Sequence, residues 1–241
     1  MALLELQNLH KRFGALVVTD DLSLAIEAGE LVGVLGPNGA GKTTLFHLIT
    51  GTLQADGGRI AFDGRDVTRL DASARCRAGI ARSFQVPHPF AGMTVYENIL
   101  VGATFGRGRG HGNPQRRAYE VMCLTGMEER ANVQAGNLTL LERKRLEMAR
   151  ALAADPRLLL LDEIAGGLTD RECVSLLETI REIHTSGVTI VWIEHVVHAL
   201  LSIAQRLIVM DFGRLVIDGE PAAVMASPEV QAIYMGESAL D

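Results

Sequence analysis

Residues 31–44 read Leu31-Val32-Gly33-Val34-Leu35-Gly36-Pro37-Asn38-Gly39-Ala40-Gly41-Lys42-Thr43-Thr44, and this stretch decides the fold class. Its first five residues are continuously apolar, as expected for a short strand covered on both faces. Positions 36–43 match the pattern G-x-x-x-x-G-K-[ST]. The following TTLFHLITG is compatible with a helix. Strand, glycine-rich turn and helix in that order make a phosphate cradle. Glycines let backbone N–H groups turn inward without Cβ clashes, and the helix aims its positive end at the same anion. Lys42 adds a point charge within reach of the β and γ phosphates, and the Thr43 hydroxyl suits Mg²⁺. Gly36, Pro37, Asn38, Gly39, Ala40, Gly41, Lys42, Thr43 and Thr44 are the expected nucleotide contacts.

Upstream, Leu4, Leu6 and Leu9, then Leu22, Leu24 and Ile26, alternate with polar neighbours around a turn-like KRFGA. That pattern predicts two half-buried antiparallel strands. Glu27 to Glu30 reads as a turn, and Arg59 to Asp63 as an edge strand. From about Pro87 to Ala154 the chain changes to helical periodicity, through RRAYEVMCLTGM and ERKRLEMARALA, broken by the loops VPHPFAGMT and FGRGRGHGNP. The GRGRGHG run predicts a solvated loop. Apolar strands resume at 158–162 (LLLLD), 189–194 (TIVWIE) and 207–211 (LIVMD). Between the first two, Thr169 and Glu172 form a T-x-x-E capping box, with Val174, Leu177 and Ile180 on one helix face. Buried strands alternating with helices imply a parallel sheet wrapped by helices, with the helical middle inserted into it.

LLLLDE ends its strand with two acids. At a sheet's carboxyl edge Asp162 suits Mg²⁺, and Glu163 suits the role of general base toward water. His195 follows TIVWIE at the same kind of edge, where a neutral imidazole reaches a γ-phosphate or an attacking water. Glu194-His195-x-x-His198 is not H-E-x-x-H and starts at a strand end, so zinc is not expected.

The 241 residues are 48% hydrophobic and 22% charged, which excludes a disordered or fibrous chain. Their 23 basic and 29 acidic residues, net −6, speak against a nucleic-acid binder. Cys76, Cys123 and Cys173 lie far apart and form no disulfide or zinc framework, which fits a reducing, cytoplasmic compartment. The N-terminal MALLELQNLHKRF has no signal-peptide pattern, and VTIVWIEHVVHALL is interrupted by Glu194, His195 and His198, so no transmembrane span is expected.

The order GPNGAGKTT, SFQ, LTLLERKRLEMARALAADP, LLLLDE and WIEH resembles the ATP-binding subunit of an ATP-binding-cassette (ABC) transporter along essentially the whole chain. More narrowly, VPHPFAGMTVYENILVGATFG and GEPAAVMASPEVQAIYMGE look like the branched-chain amino acid uptake branch, a likeness shared with carriers of amides or urea. The resemblance implies one α/β P-loop NTPase domain, with a mainly parallel sheet, an N-terminal antiparallel β subdomain and an inserted helical subdomain. Residues 1–86 and 155–241 would form the core, and 87–154 the helical part. It implies ATP and Mg²⁺ as ligands, with Gln85 contacting metal and water, Phe13 stacking on adenine, Asp162 linked to the metal, Glu163 catalytic and His195 a switch residue. Implied partners are membrane permeases, a second ABC ATPase and, indirectly, a periplasmic solute-binding protein. No nucleic acid is implied, and the location is peripheral on the inner face of the cytoplasmic membrane.

Two departures stand out. The family signature L-S-G-G-Q, which in the family reaches across a dimer to bind the partner's γ-phosphate, is here Leu138-Thr139-Leu140-Leu141-Glu142, so Thr139, Leu140 and Leu141 are the implied nucleotide contacts. Thr139 keeps a hydroxyl and the backbone of Leu140 and Leu141 keeps its N–H groups, but Glu142 must point away from a phosphate or weaken the site. Ile164-Ala165-Gly166-Gly167-Leu168-Thr169 also departs from the family loop. A degenerate signature implies a heterodimer in the cell, with a homodimer in isolation. The alternative function is a non-transport ABC ATPase acting as a mechanical switch. A GTPase would need N-K-x-D, which is absent, and a kinase would need an arginine lid.

Overall fold

The computed structural model describes residues 2–106 and 112–237, so most of the GRGRGHG run lies outside the described residues. The chain divides into two compact units, one of Met1–Ala72 with Val191–Asp241 and one of Ser73–Ile190.

The first unit opens with β1 (Ala2–Phe13) and β2 (Leu16–Glu27), paired antiparallel with Leu4 opposite Ile26 and Leu6 opposite Leu24. These leucines and isoleucine are buried, and their neighbours along each strand are more exposed except at Leu3, which is buried beside Leu4 and breaks the expected alternation. β3 (Leu31–Leu35) is buried at all five positions. It feeds the glycine-rich turn and then α1 (Lys42–Thr50). β4 (Gly57–Phe62) pairs with β1 on one side and with the two-residue β5 (Arg65–Asp66) on the other. The expected edge strand is therefore an inner strand. The turn Asp63-Gly64 folds the chain straight back, and two residues are too few to leave a periodic trace in the sequence.

In the second unit, α2 (Ala72–Ala78, starting at the division) leads to β6 (Ile80–Arg82). Three helices follow, α3 (Val95–Phe105), α4 (Pro114–Leu124) and α5 (Leu140–Ala153). They bury Ile99, Val121 and Leu146, each worth about 1.5–3 kcal/mol of transfer free energy. β7 (Leu158–Asp162) runs parallel to β6 with Ile80 opposite Leu158. α6 (Asp170–Thr185) starts at the Thr169–Glu172 capping box. Leu177 and Ile180 are buried as expected, but Val174 is 55% exposed, and the inward stripe instead runs through Cys173, Leu176, Leu177, Ile180 and Ile183. A stripe through 173 and 177 fits the 3.6-residue period, which carries 174 round to the solvent side.

β8 (Thr189–Ile193), buried throughout, is the strand in which the division between the units falls. The first unit then closes with α7 (Val197–Leu201), β9 (Arg206–Asp211), β10 (Arg214–Gly219), α8 (Pro221–Met225) and α9 (Pro228–Glu237). β9 runs parallel to β3, with Val34 opposite Ile208, and antiparallel to β10. Arg206 fixes this end of the unit, gripping both oxygens of Asp218 at 2.6 Å and Glu30 at 3.1 Å. Among the described residues no helix is long and apolar enough to cross a membrane.

Candidate functional site

The phosphate loop, Phe13 and His195 belong to the first unit. Gln85, Asp162, Glu163 and residues 139–141 belong to the second.

The loop turns on backbone that only glycine adopts easily. Gly36 and Gly41 have φ of 150° and 97°. A Cβ on Gly36 would sit 2.2 Å from the Met210 carbonyl oxygen, and one on Gly41 would sit 2.6 Å from that of Val18. The loop is braced from behind, because the Gly213 N–H donates to the Ala40 carbonyl at 3.0 Å. Lys42 is buried, and its Nζ donates to the carbonyls of Gly36 at 2.5 Å and Pro37 at 2.9 Å, which holds the ammonium inside the loop. α1 has no side-chain cap and no acid in its first turn, whereas Thr94, Asn113, Thr139 and Thr169 cap α3 to α6. A helix start with no side-chain cap and no acid, and with an ammonium beside it, fits a polyphosphate. Thr43 is exposed in that first turn.

Phe13 ends β1 with 51% of its surface exposed, and the Lys11 Nζ lies 5.6 Å from its ring centroid. An exposed ring at a hairpin end suits stacking rather than core packing. His195 is exposed two residues beyond β8. The buried Glu194 carboxylate accepts the backbone N–H of His195 at 3.0 Å and of Val196 at 3.3 Å, so Glu194 shapes the turn that presents the histidine.

In the second unit the two acids part at once. Asp162 is buried at the end of β7 and is ion-paired with Arg82 at the end of β6. Glu163 has φ of 47°, a left-handed conformation uncommon outside glycine, and its carboxylate accepts from the Gln85 side-chain amide. Lys144 in α5, also buried, donates to the Glu163 backbone carbonyl at 3.5 Å. Gln85 and Glu163 are thus brought into contact. Arg82 and Lys144 escaped the sequence reading. Arg82 carried a signal, a lone charge ending the short strand three residues before Gln85, but Lys144 looked like one more cation in a charged helix.

Thr139 caps α5. Its hydroxyl accepts the Glu142 N–H at 3.3 Å, while the Glu142 carboxylate accepts the Thr139 N–H at 2.9 Å and meets Arg130 at 2.7 Å. Burial pushes the Glu142 carboxyl up. The Thr139 hydrogen bonds and the Arg130 charge outweigh this and hold it below the usual glutamate range. Glu142 is therefore folded back on its own helix start, with Leu140 exposed and Leu141 half-buried beside it.

A family model described as ABC transporter matches residues 19–166, a span that takes in the phosphate loop, Gln85, Asp162 and Glu163 but not Phe13 or His195. The chain belongs to the ABC transporter ATP-binding family. It is 38% identical over 233 residues to a probable ABC transporter ATP-binding protein of Azorhizobium caulinodans, covering 95% of this chain and 82% of that one. It is 33% identical over 237 residues to the lipopolysaccharide export system ATP-binding protein LptB of Escherichia coli K12, covering 98% of each. It is 34% identical over 251 residues to the high-affinity branched-chain amino acid transport ATP-binding protein BraF of Pseudomonas aeruginosa, again covering 98% of each. Among solved structures, the ADP conformation of an ATP-binding cassette of an ABC transporter superimposes with a TM-score of 0.89 at 29% identity, covering 98% of this chain and 99% of that one. The α/β P-loop NTPase fold follows, and with it ATP binding and hydrolysis.

Proposed function

We propose that this ABC ATPase powers the uptake of branched-chain amino acids or related small polar solutes through membrane permeases, while bound to the inner face of the cytoplasmic membrane. The observation that carries this reading is the full-length similarity to BraF. The similarity to LptB favours a second reading, the export of a lipid-linked glycan, at nearly the same identity.

The site residues take these roles. Backbone N–H groups of residues 36–44 and the Lys42 ammonium bind the triphosphate, and Phe13 stacks on the base. The donor set of Thr43 hydroxyl, Gln85 amide and Asp162 carboxylate is of the hard-oxygen kind that suits Mg²⁺. Those three residues would hold the ion, which when bound offsets charge on the phosphates. Glu163 accepts the proton of the attacking water, Gln85 orients Glu163, and His195 donates to the γ-phosphate. We assign residues 1–86 and 155–241 to the α/β core with its β subdomain, and residues 87–154 to the helical subdomain.

Permease docking is assigned to the surface around Gln85. Phe84, Val86 and Phe90 are about half exposed there. Phe90 is also held rigidly, with its N–H and carbonyl clamped by Asn98 at 2.9 and 3.1 Å and its ring 4.9 Å from the Arg150 guanidinium. A fixed exposed aromatic is a suitable anchor for a partner helix.

Deleting the gene and measuring uptake of labelled leucine, isoleucine and valine tests the substrate. Uptake falls in the deletion strain and returns with the wild-type gene but not with Lys42→Ala. Normal uptake together with loss of a surface glycolipid would replace this reading with the export one.

A further inference from the structure

The segment Arg82-Ser83-Phe84-Gln85 lies along the end of β7 and holds both acids there. The Arg82 guanidinium bonds the Asp162 carboxylate, with 6% and 3% of their side chains exposed. The Asp162 N–H donates to the Ser83 hydroxyl at 3.4 Å, and the Ser83 N–H to the Leu160 carbonyl at 2.9 Å. Gln85 then donates to Glu163. A carboxylate so far from water needs a charged, well-directed donor beside it to offset its burial, and Arg82 is that donor. Arginine supplies a planar fork of fixed geometry, whereas lysine supplies a mobile point charge. The half-exposed Phe84 ring, 5.4 Å from the guanidinium carbon, stacks against Arg82.

We infer that Arg82 is a positioning residue of ATP hydrolysis. It fixes the rotamer of Asp162 and, through the left-handed turn that follows at once, the direction in which Glu163 leaves the strand. The inference rests on the reading of Asp162 and Glu163 given above.

The test uses the full chain with Arg82→Lys beside Glu163→Gln, at a temperature where melting curves show each variant folded. Arg82→Lys keeps the charge but loses the directed Nη2 bond to Asp162 and the planar group that stacks on Phe84. Its kcat falls about tenfold or more while KM for ATP stays within about twofold. Mn²⁺ binding, followed by electron paramagnetic resonance with a non-hydrolysable ATP analogue, weakens about tenfold. A purely structural ion pair would lower the melting temperature and leave kcat and Mn²⁺ affinity unchanged, and that result overturns the inference. If Glu163→Gln hydrolyses ATP at the unmodified rate, the reading of the acids fails, and this inference with it. If Glu163→Gln is inactive while Arg82→Lys is unimpaired, only the role of Arg82 falls. Should Arg82→Lys not fold, Phe84→Ala removes the stacked ring without touching the ion pair. Its kcat then drops about two- to threefold with the melting temperature held, and an unchanged kcat overturns the inference.

Discussion

Gly41 shows how much a single position decides. At φ of 97°, with a carbonyl 2.6 Å from where a Cβ would sit, alanine there is both strained and crowded. Gly41→Ala should cost about 1–3 kcal/mol of stability, read as a lower urea midpoint, and should weaken ATP binding. Glu163→Gln should retain nucleotide while turnover falls by about 10²–10⁴-fold, which single-turnover assays with labelled ATP would measure. An unchanged rate removes Glu163 as the base. Gly41 was legible because the loop pattern has fixed local spacing, and Glu163 because it directly follows an apolar strand. Arg82 was not, because a guanidinium is assigned by the carboxylate it meets, and Asp162 lies 80 residues away in the chain.

At the scale of elements, three helices begin with the same device. Thr94 with Glu97, Thr139 with Glu142 and Thr169 with Glu172 each form a reciprocal capping box. Thr169→Ala should destabilise the chain by about 1 kcal/mol in urea denaturation. Hydrogen bonds from the cap threonines hold the Glu97 and Glu172 carboxyls below the ordinary value of 4.5, and Glu142 is depressed as well, against its burial. A folded-state value lower than the unfolded one means stabilisation that is complete at neutral pH. It is lost as the pH falls below about 4.5 and through the depressed values. Comparing urea midpoints at pH 7 and pH 3 checks this, since the variant lacking all three threonines should show a smaller acid loss than wild type. The Thr169 box and the strands at 31–35 and 158–162 were readable because both signals are local. The inner position of β4 and the outward face of Val174 were not, since a two-residue strand has no period and helix phase is set by what the helix packs against.

At the scale of the whole molecule, the departure at residues 138–142 predicts asymmetry. Glu142 is turned onto Thr139 and Arg130, but the Leu140 and Leu141 side chains stand where the signature has glycines, and their bulk makes the start of α5 a poor surface for a partner's phosphate. The isolated chain should therefore hydrolyse ATP slowly, and a second ABC ATPase with a regular glycine signature should accelerate it. Steady-state rates of the chain alone, of the mixture, and of Leu140→Gly/Leu141→Gly measure this. Full cooperative activity of the isolated chain, unaffected by the glycine substitutions, contradicts it. The ABC family was readable end to end because its motifs span the chain. The transported solute was not, because no residue of an ATP-binding subunit has to touch it.

Isothermal titration of the folded chain with Mg-ATP, repeated with Lys42→Ala, tests the central claim most directly. The loop geometry predicts saturable heat of binding for wild type and its loss in the variant. Equal heats for both proteins, or none for folded wild type, would contradict the assignment of residues 36–44 as the nucleotide site.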